Sequence, residues 1–186
     1  MVNQFFVMNA KHPTSIFSEE DLDFTWDNNN DYHYPLVIKL KYIYWGETCL
    51  LRVFNKIIKS ADSIDLKKIF TNLLNSCQQS LERLEQIFIQ LEEVAKGKKC
   101  DVMDCLINNT LLIFKTNHQK NLLRDVDLAL SFRQILLMKI ANQEELIDME
   151  DKFDDDQIIS LLKENIEEDR QHLELLIYFA KDDLAA

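Results

Sequence analysis

The sequence predicts an all-α protein, a four-helix bundle with a short extra helix in the crossover and an irregular N-terminal arm. The 186 residues include only two glycines and two prolines, too few for the tight turns that strand hairpins need. Apolar residues recur at spacings of three and four over long stretches, the period of a helix buried along one face. Polar segments with capping residues separate those stretches. A chain of this length fits one domain that buries about two thirds of the surface its unfolded form exposes.

Residues 1–34 carry no sustained period, and Asp27-Asn-Asn-Asn-Asp31 signals a turn. The aromatics Phe24, Trp26, Tyr32 and Tyr34 favour an arm that packs on the domain rather than hanging free. We therefore expect an arm over residues 1–34 and a bundle over residues 35–184. Pro35 suits a first helical turn, where its missing N–H costs nothing. From there Leu40, Ile43, Tyr44, Glu47, Leu50, Leu51, Phe54, Ile57, Ile58 and Ala61 keep the helical spacing. The run VIKLKYIY also alternates as a strand would, but the helical period is longer and unbroken.

A second helix is expected from Asp62 or Ser63 to about Ala95, with Leu66, Phe70, Leu73, Cys77, Leu84 and Phe88 on its apolar stripe and Gly97 as a left-handed stop. Asp101 is placed to cap a short helix, with Asp104 standing in for the Glu of a capping box. After a polar connection at Lys115–Lys120, a third long helix covers about residues 120–150, with Leu123, Val126, Leu130, Arg133, Leu137, Ile140 and Ile147 on one face. Asp154-Asp-Asp156 caps the fourth, striped by Ile158, Leu162, Ile166, Asp169, Leu173, Leu176 and Ala180. A longer crossing between the second and third long helices gives the connectivity of ferritin-like bundles.

The net charge of -11 is uneven: residues 35–143 carry an excess of basic groups and residues 144–186 a large excess of acidic ones. An acidic chain repels phosphate backbones, so nucleic acid is excluded as a partner of the whole. No apolar run reaches the length of a membrane span, and the start lacks the order of a signal peptide, so a cytoplasmic protein without membrane contact is expected. Cys49, Cys77, Cys100 and Cys105 form no CxxC and lie away from histidine, which gives no zinc or redox motif. Glycine-rich phosphate loops and framed nucleophiles are missing too, so no catalytic residue is assigned.

The segments Glu82-RLEQIF-Phe88 and Lys96-GKKCDVMDCLI-Ile107 resemble the YciE/YciF-type family of bacterial ferritin-like proteins, as do Leu123-RD-Asp125 and Leu161-LKENIEED-Asp169. The resemblance spans residues 36–184. It implies a di-metal carboxylate bundle, linked to bacterial stress responses and dimeric. At the positions where that family places ligands, this chain has Asn75, Ser76, Gln78 and Ser80 in the second helix and Leu136, Leu137 and Lys139 in the third, so most of the implied metal shell is absent.

A ferritin-like centre uses a Glu from each of two helices and a Glu-x-x-His from each of the other two. His12 and His33 belong to the arm and His118 to a loop. Only Asp169-x-x-His172, at the spacing that shares a helix face, and Glu47, in mid-stripe, remain as ligands. Two expectations follow for these residues. In one, Glu47, Asp169 and His172 hold iron, manganese or zinc with a reduced set of ligands. In the favoured one no cofactor is bound, and Arg133 pairs with Glu47 or Asp169 because a buried carboxylate needs a counter-charge. The expected function is then a non-enzymatic, stress-associated structural or interaction protein, a homodimer that has lost its di-metal centre.

Overall fold

The computed structural model describes residues 33–116, 122–149 and 156–185. Among them are five helices and no strand: α1 (His33–Ser60), α2 (Ile64–Gln90), α3 (Asp101–Thr116), α4 (Leu122–Ile147) and α5 (Asp156–Ala185). The four long helices form the bundle, with α1 packed mainly on α2, α4 mainly on α5, and α2 against α5. The short α3 of the crossover lies on α4 and α1. Gly46 permits that contact, since a Cβ there would meet Met103 Cγ at 3.2 Å. The fold is the all-α ferritin-like bundle that the periodicity predicts. The alternation in VIKLKYIY does not produce a strand, because Leu36, Val37, Leu40 and Ile43 bury one helical face.

The apolar interior has two clusters. In one, Phe132 sits between Phe54, in a tilted contact, and Phe70, edge to face, with ring centroids 5.3 and 5.2 Å apart. The other gathers Leu40, Leu84, Phe88, Leu146 and Leu162. Between those clusters each long helix buries polar side chains: Glu47, Ser80, Lys139 with Gln143, and Asn165 with Asp169.

Several local expectations need correction. Helix α2 ends at Gln90 and not near Ala95, because Leu91 caps it and Glu92 takes the left-handed backbone, with φ 55°. Gly97 is no left-handed stop, as neither glycine has positive φ. Its small size serves a close approach: a Cβ would stand 2.9 Å from the backbone Cα of Trp45, while the Lys98 N–H bonds the Lys41 carbonyl at 3.0 Å. The Asp101 and Asp104 carboxylates pair with Lys99 instead of forming a capping box. The proposed cap at Asp154 lies outside the described residues.

Helix α4 is turned partly away from the stripe expected of it. Val126 and Ile140 are buried as expected, but Leu123, Leu130 and Leu137 are exposed, and the core side also carries Asp125, Leu128, Ala129, Phe132, Ile135, Leu136, Lys139, Gln143 and Leu146. Leu137 therefore fills none of the interior, whereas Leu136 does. Apolar residues surround this helix, so two stripes have helical period; the rings of Phe54 and Phe70 select the one that carries Phe132.

The first turn of α4 holds the α1–α2 connection. The fully buried Asp125 carboxylate accepts from the backbone N–H groups of Asp62 and Ser63 at 2.6–3.0 Å, and Arg124 donates to the Ser60 carbonyl. Ser63 caps α2 by accepting from Leu66 N–H. Orphan groups at the end of α1 and the start of α2 are thus satisfied by one dipeptide from another helix.

Candidate functional site

The polar layer converges on one ammonium group. Lys139 Nζ of α4 lies 2.9 Å from Glu47 Oε1 of α1 and 2.7 Å from Asp169 Oδ1 of α5. All three side chains are at most 5% exposed. Each remaining carboxylate oxygen has its own donor. Cys77 Sγ of α2 donates to Glu47 Oε2 at 2.9 Å, and Gln143 Nε2 donates to Asp169 Oδ2 at 3.3 Å. Ser80 Oγ also donates to Glu47 Oε1, at 3.1 Å. All four long helices contribute, which locks their mutual register through charge-assisted bonds.

Expected and observed partners differ at one place. Glu47 and Asp169 do meet a cation, but it is Lys139 and not Arg133. Arg133 stands about 120° of helical rotation from Lys139, and its Nε is buried with no hydrogen-bond partner. His172 does not join the carboxylates: its Nδ1 donates to the Glu168 carbonyl of its own helix at 2.7 Å. Cys77, Ser80 and Gln143 were not singled out as polar partners, yet each falls on a core stripe, where a polar side chain must find a bond.

The electrostatics follow from burial. Desolvation pulls the Lys139 pKa down, but attraction to Asp169 and Glu47 outweighs it and the net shift is upward, so the ammonium stays charged. Asp169 is pushed up to about 6 by burial, against the pull of Lys139 and with the push of Glu47. Burial and the Glu47 charge also drive the Cys77 thiol well above its usual range, so it acts as an S–H donor and not as a nucleophile. Burial lowers the His172 pKa, which keeps the ring neutral.

The di-metal group that the sequence resemblance implies does not fit these residues. Metal–oxygen bonds of about 2.0–2.2 Å are shorter than the 2.7 and 2.9 Å spacings around Lys139, and the point between the carboxylates is taken by a positive nitrogen. Among the described residues no three His, Cys, Asp or Glu side chains are grouped to hold a metal ion. Of Glu47, Asp169 and His172, the structure brings the two carboxylates together on Lys139 and leaves His172 bonded to its own helix.

Next to this layer, Arg83 of α2 reaches across to α5. It bonds Glu168 at 2.6 Å, Glu164 at 3.1 Å and Asn165 at 2.9 Å. No described helix is long and apolar enough to cross a membrane.

The same architecture occurs in solved proteins. YcfI of Rhodopseudomonas palustris, for which a structural role has been suggested, superposes with a TM-score of 0.74 at 23% identity, covering 82% of this chain and 97% of that one. The E. coli stress protein YciF gives 0.76 at 22% identity, with 82% and 96% covered. No curated protein matches the sequence. The model of a domain of unknown function, DUF892, matches residues 32–186. The chain therefore belongs to the DUF892 family, the YciE/YciF-type ferritin-like proteins.

Proposed function

We propose that this protein is a non-enzymatic, stress-associated structural or interaction bundle whose interior has lost the di-metal centre of its fold. The observation that carries the reading is Lys139 between Glu47 and Asp169. An ammonium supplies one fixed positive charge where two divalent ions would otherwise neutralise the carboxylates. It offers no open coordination position and no redox couple. The descriptions of YciF as a stress protein and of YcfI as having a suggested structural role agree with this reading.

The protein is further proposed to act in the cytoplasm as a homodimer. Support comes from Leu123, Leu130 and Leu137, which repeat every seven residues along the exposed side of α4, the spacing of a helix-pairing seam.

Elemental analysis of protein purified without chelator tests the main reading. Iron, manganese and zinc should each fall far below one equivalent per chain, and added Fe(II) should bring no dioxygen consumption above the buffer rate. Stoichiometric metal that disappears in Asp169→Asn or His172→Ala would overturn it.

A further inference from the structure

We infer that the outward face of α4 pairs with α4 of a second copy of this chain, antiparallel, about a twofold axis beside Leu130. The inference rests on the proposed homodimer and deepens it, since it assigns that dimer a face, a direction and a register.

Leu123, Leu130 and Leu137 are 64, 38 and 49% exposed, although the other side of their helix is packed with core residues. A step of seven residues advances an α-helix by about 10.5 Å and drifts it by only about 20°. The three side chains therefore form one line down the outside of the bundle. Asp127 and Gln134, both exposed, lie about 60° and about 40° to one side of that line, and the half-buried Arg133 lies about 60° to the other.

The spacing is that of a helix that pairs with a helix, and it is symmetric about its own midpoint. A twofold axis at Leu130 sets Leu130 against Leu130 of the second copy. At either end of an antiparallel pair it also sets Leu123 against Leu137. One leucine line thus serves both copies, as a closed contact between identical chains requires.

The charges choose the direction. In the antiparallel pair, residues equally far from Leu130 on opposite sides come level, so Asp127 of one copy is level with Arg133 of the other. Gln134 of the second copy lies on the same side of the seam as Asp127, offset by one residue's rise of about 1.5 Å. Each carboxylate then gains an amide donor and faces a guanidinium across the seam. A parallel pair in register sets Asp127 level with Asp127 and Arg133 level with Arg133, and such like-charge contacts disfavour a pairing.

Sedimentation and oxidative cross-linking of the full chain test this. Wild type should sediment as a dimer. Leu130→Glu, which puts two carboxylates at the axis, should weaken association at least about 30-fold and leave the helical circular dichroism unchanged. For the register, single cysteines are placed in a Cys105→Ser background, which removes the exposed native thiol. A disulfide needs Cβ atoms about 3.5–4.5 Å apart, so Leu130→Cys should cross-link with itself under mild oxidation. Leu123→Cys alone should not, because its two copies stand about 21 Å apart along the seam. Co-expressed with Leu137→Cys, it should give the mixed disulfide, identified by mass spectrometry of the linked peptides.

A dimer in which Leu123→Cys links to itself and not to Leu137→Cys would overturn the antiparallel register. A dimer untouched by Leu130→Glu and giving none of these cross-links would place the interface on another face. Either result leaves the homodimer standing. A monomer at every concentration, with the leucine line free or covered by a different partner, would overturn the pairing and the homodimer together.

Discussion

Lys139 and Asp169 are joined across α4 and α5 by a 2.7 Å ion pair in the middle of the bundle. Truncating one partner of such a pair strands the other charge away from water. Lys139→Met should cost about 3–5 kcal/mol at neutral pH, measured as a shift in urea midpoint with an unchanged slope. The triple variant Lys139→Met, Asp169→Leu and Glu47→Gln should recover a large part of that loss, because Lys139 is also the counter-charge of Glu47 at 2.9 Å and only removal of all three charges strands none.

The same pair gives stability a specific pH dependence. The Asp169 carboxyl is raised from 3.8 to about 6 by burial, with Glu47 adding to the rise and Lys139 opposing it. Between those values the folded state binds more protons than the unfolded one, so this group's contribution declines as pH rises from about 4 to about 6. Denaturation of wild type and Asp169→Asn at several pH values should show their difference in stability changing across that window and flat above it. Lys139 acts at the other end: its raised pKa gives a contribution fully present below 10.5 and lost only at higher pH.

Asp125 is the sole side chain bonding the backbone N–H groups of both Asp62 and Ser63 among the described hydrogen bonds. Asp125→Ala should destabilise the protein by about 1–3 kcal/mol, the cost of buried donors left without acceptors. Asp125→Asn keeps one acceptor oxygen and should lose less. Thermal melts of the three proteins would show that order, and equal losses for both variants would mean that the charge matters and the bonds do not.

Gly97→Ala should be destabilising although Gly97 lies in a connection and not in a helix. The added methyl would meet the Trp45 backbone at 2.9 Å, and backbone cannot swing aside as a side chain can. A cost of about 1–3 kcal/mol is expected from such overpacking. Faster exchange of the Lys98 amide would mark the loss of its 3.0 Å bond to Lys41.

Much of this architecture could be read in the residues. Glu47 and Asp169 stood out because each interrupts an apolar stripe at helical spacing, and both prove to be buried and paired. Helix α4 was harder. Its leucines come as neighbours, Leu122 with Leu123 and Leu136 with Leu137, so periodicity alone could not say which of each pair faces inward. The stripe of Leu130 and Leu137 puts Arg133 inside, whereas the packed helix buries Lys139 there. The true core side follows from the packing of Phe132, a contact between distant parts of the chain. The role of Gly97 was hidden for a similar reason: nothing local tells a helix-stopping glycine from one pressed against a tryptophan about fifty residues earlier.

The clamp from Asp125 to the α1–α2 connection has a consequence for how the chain folds. Its bonds join residues 62 and 63 positions apart in sequence, so they form only after the two helical hairpins have docked and a long loop has closed. Each hairpin can assemble from nearby contacts, but the cap that completes the start of α2 arrives from the other hairpin. The turn between α1 and α2, normally the first part of a hairpin to be settled, is here completed by the last step of assembly. Its amides would then exchange with solvent only when the two halves of the molecule come apart.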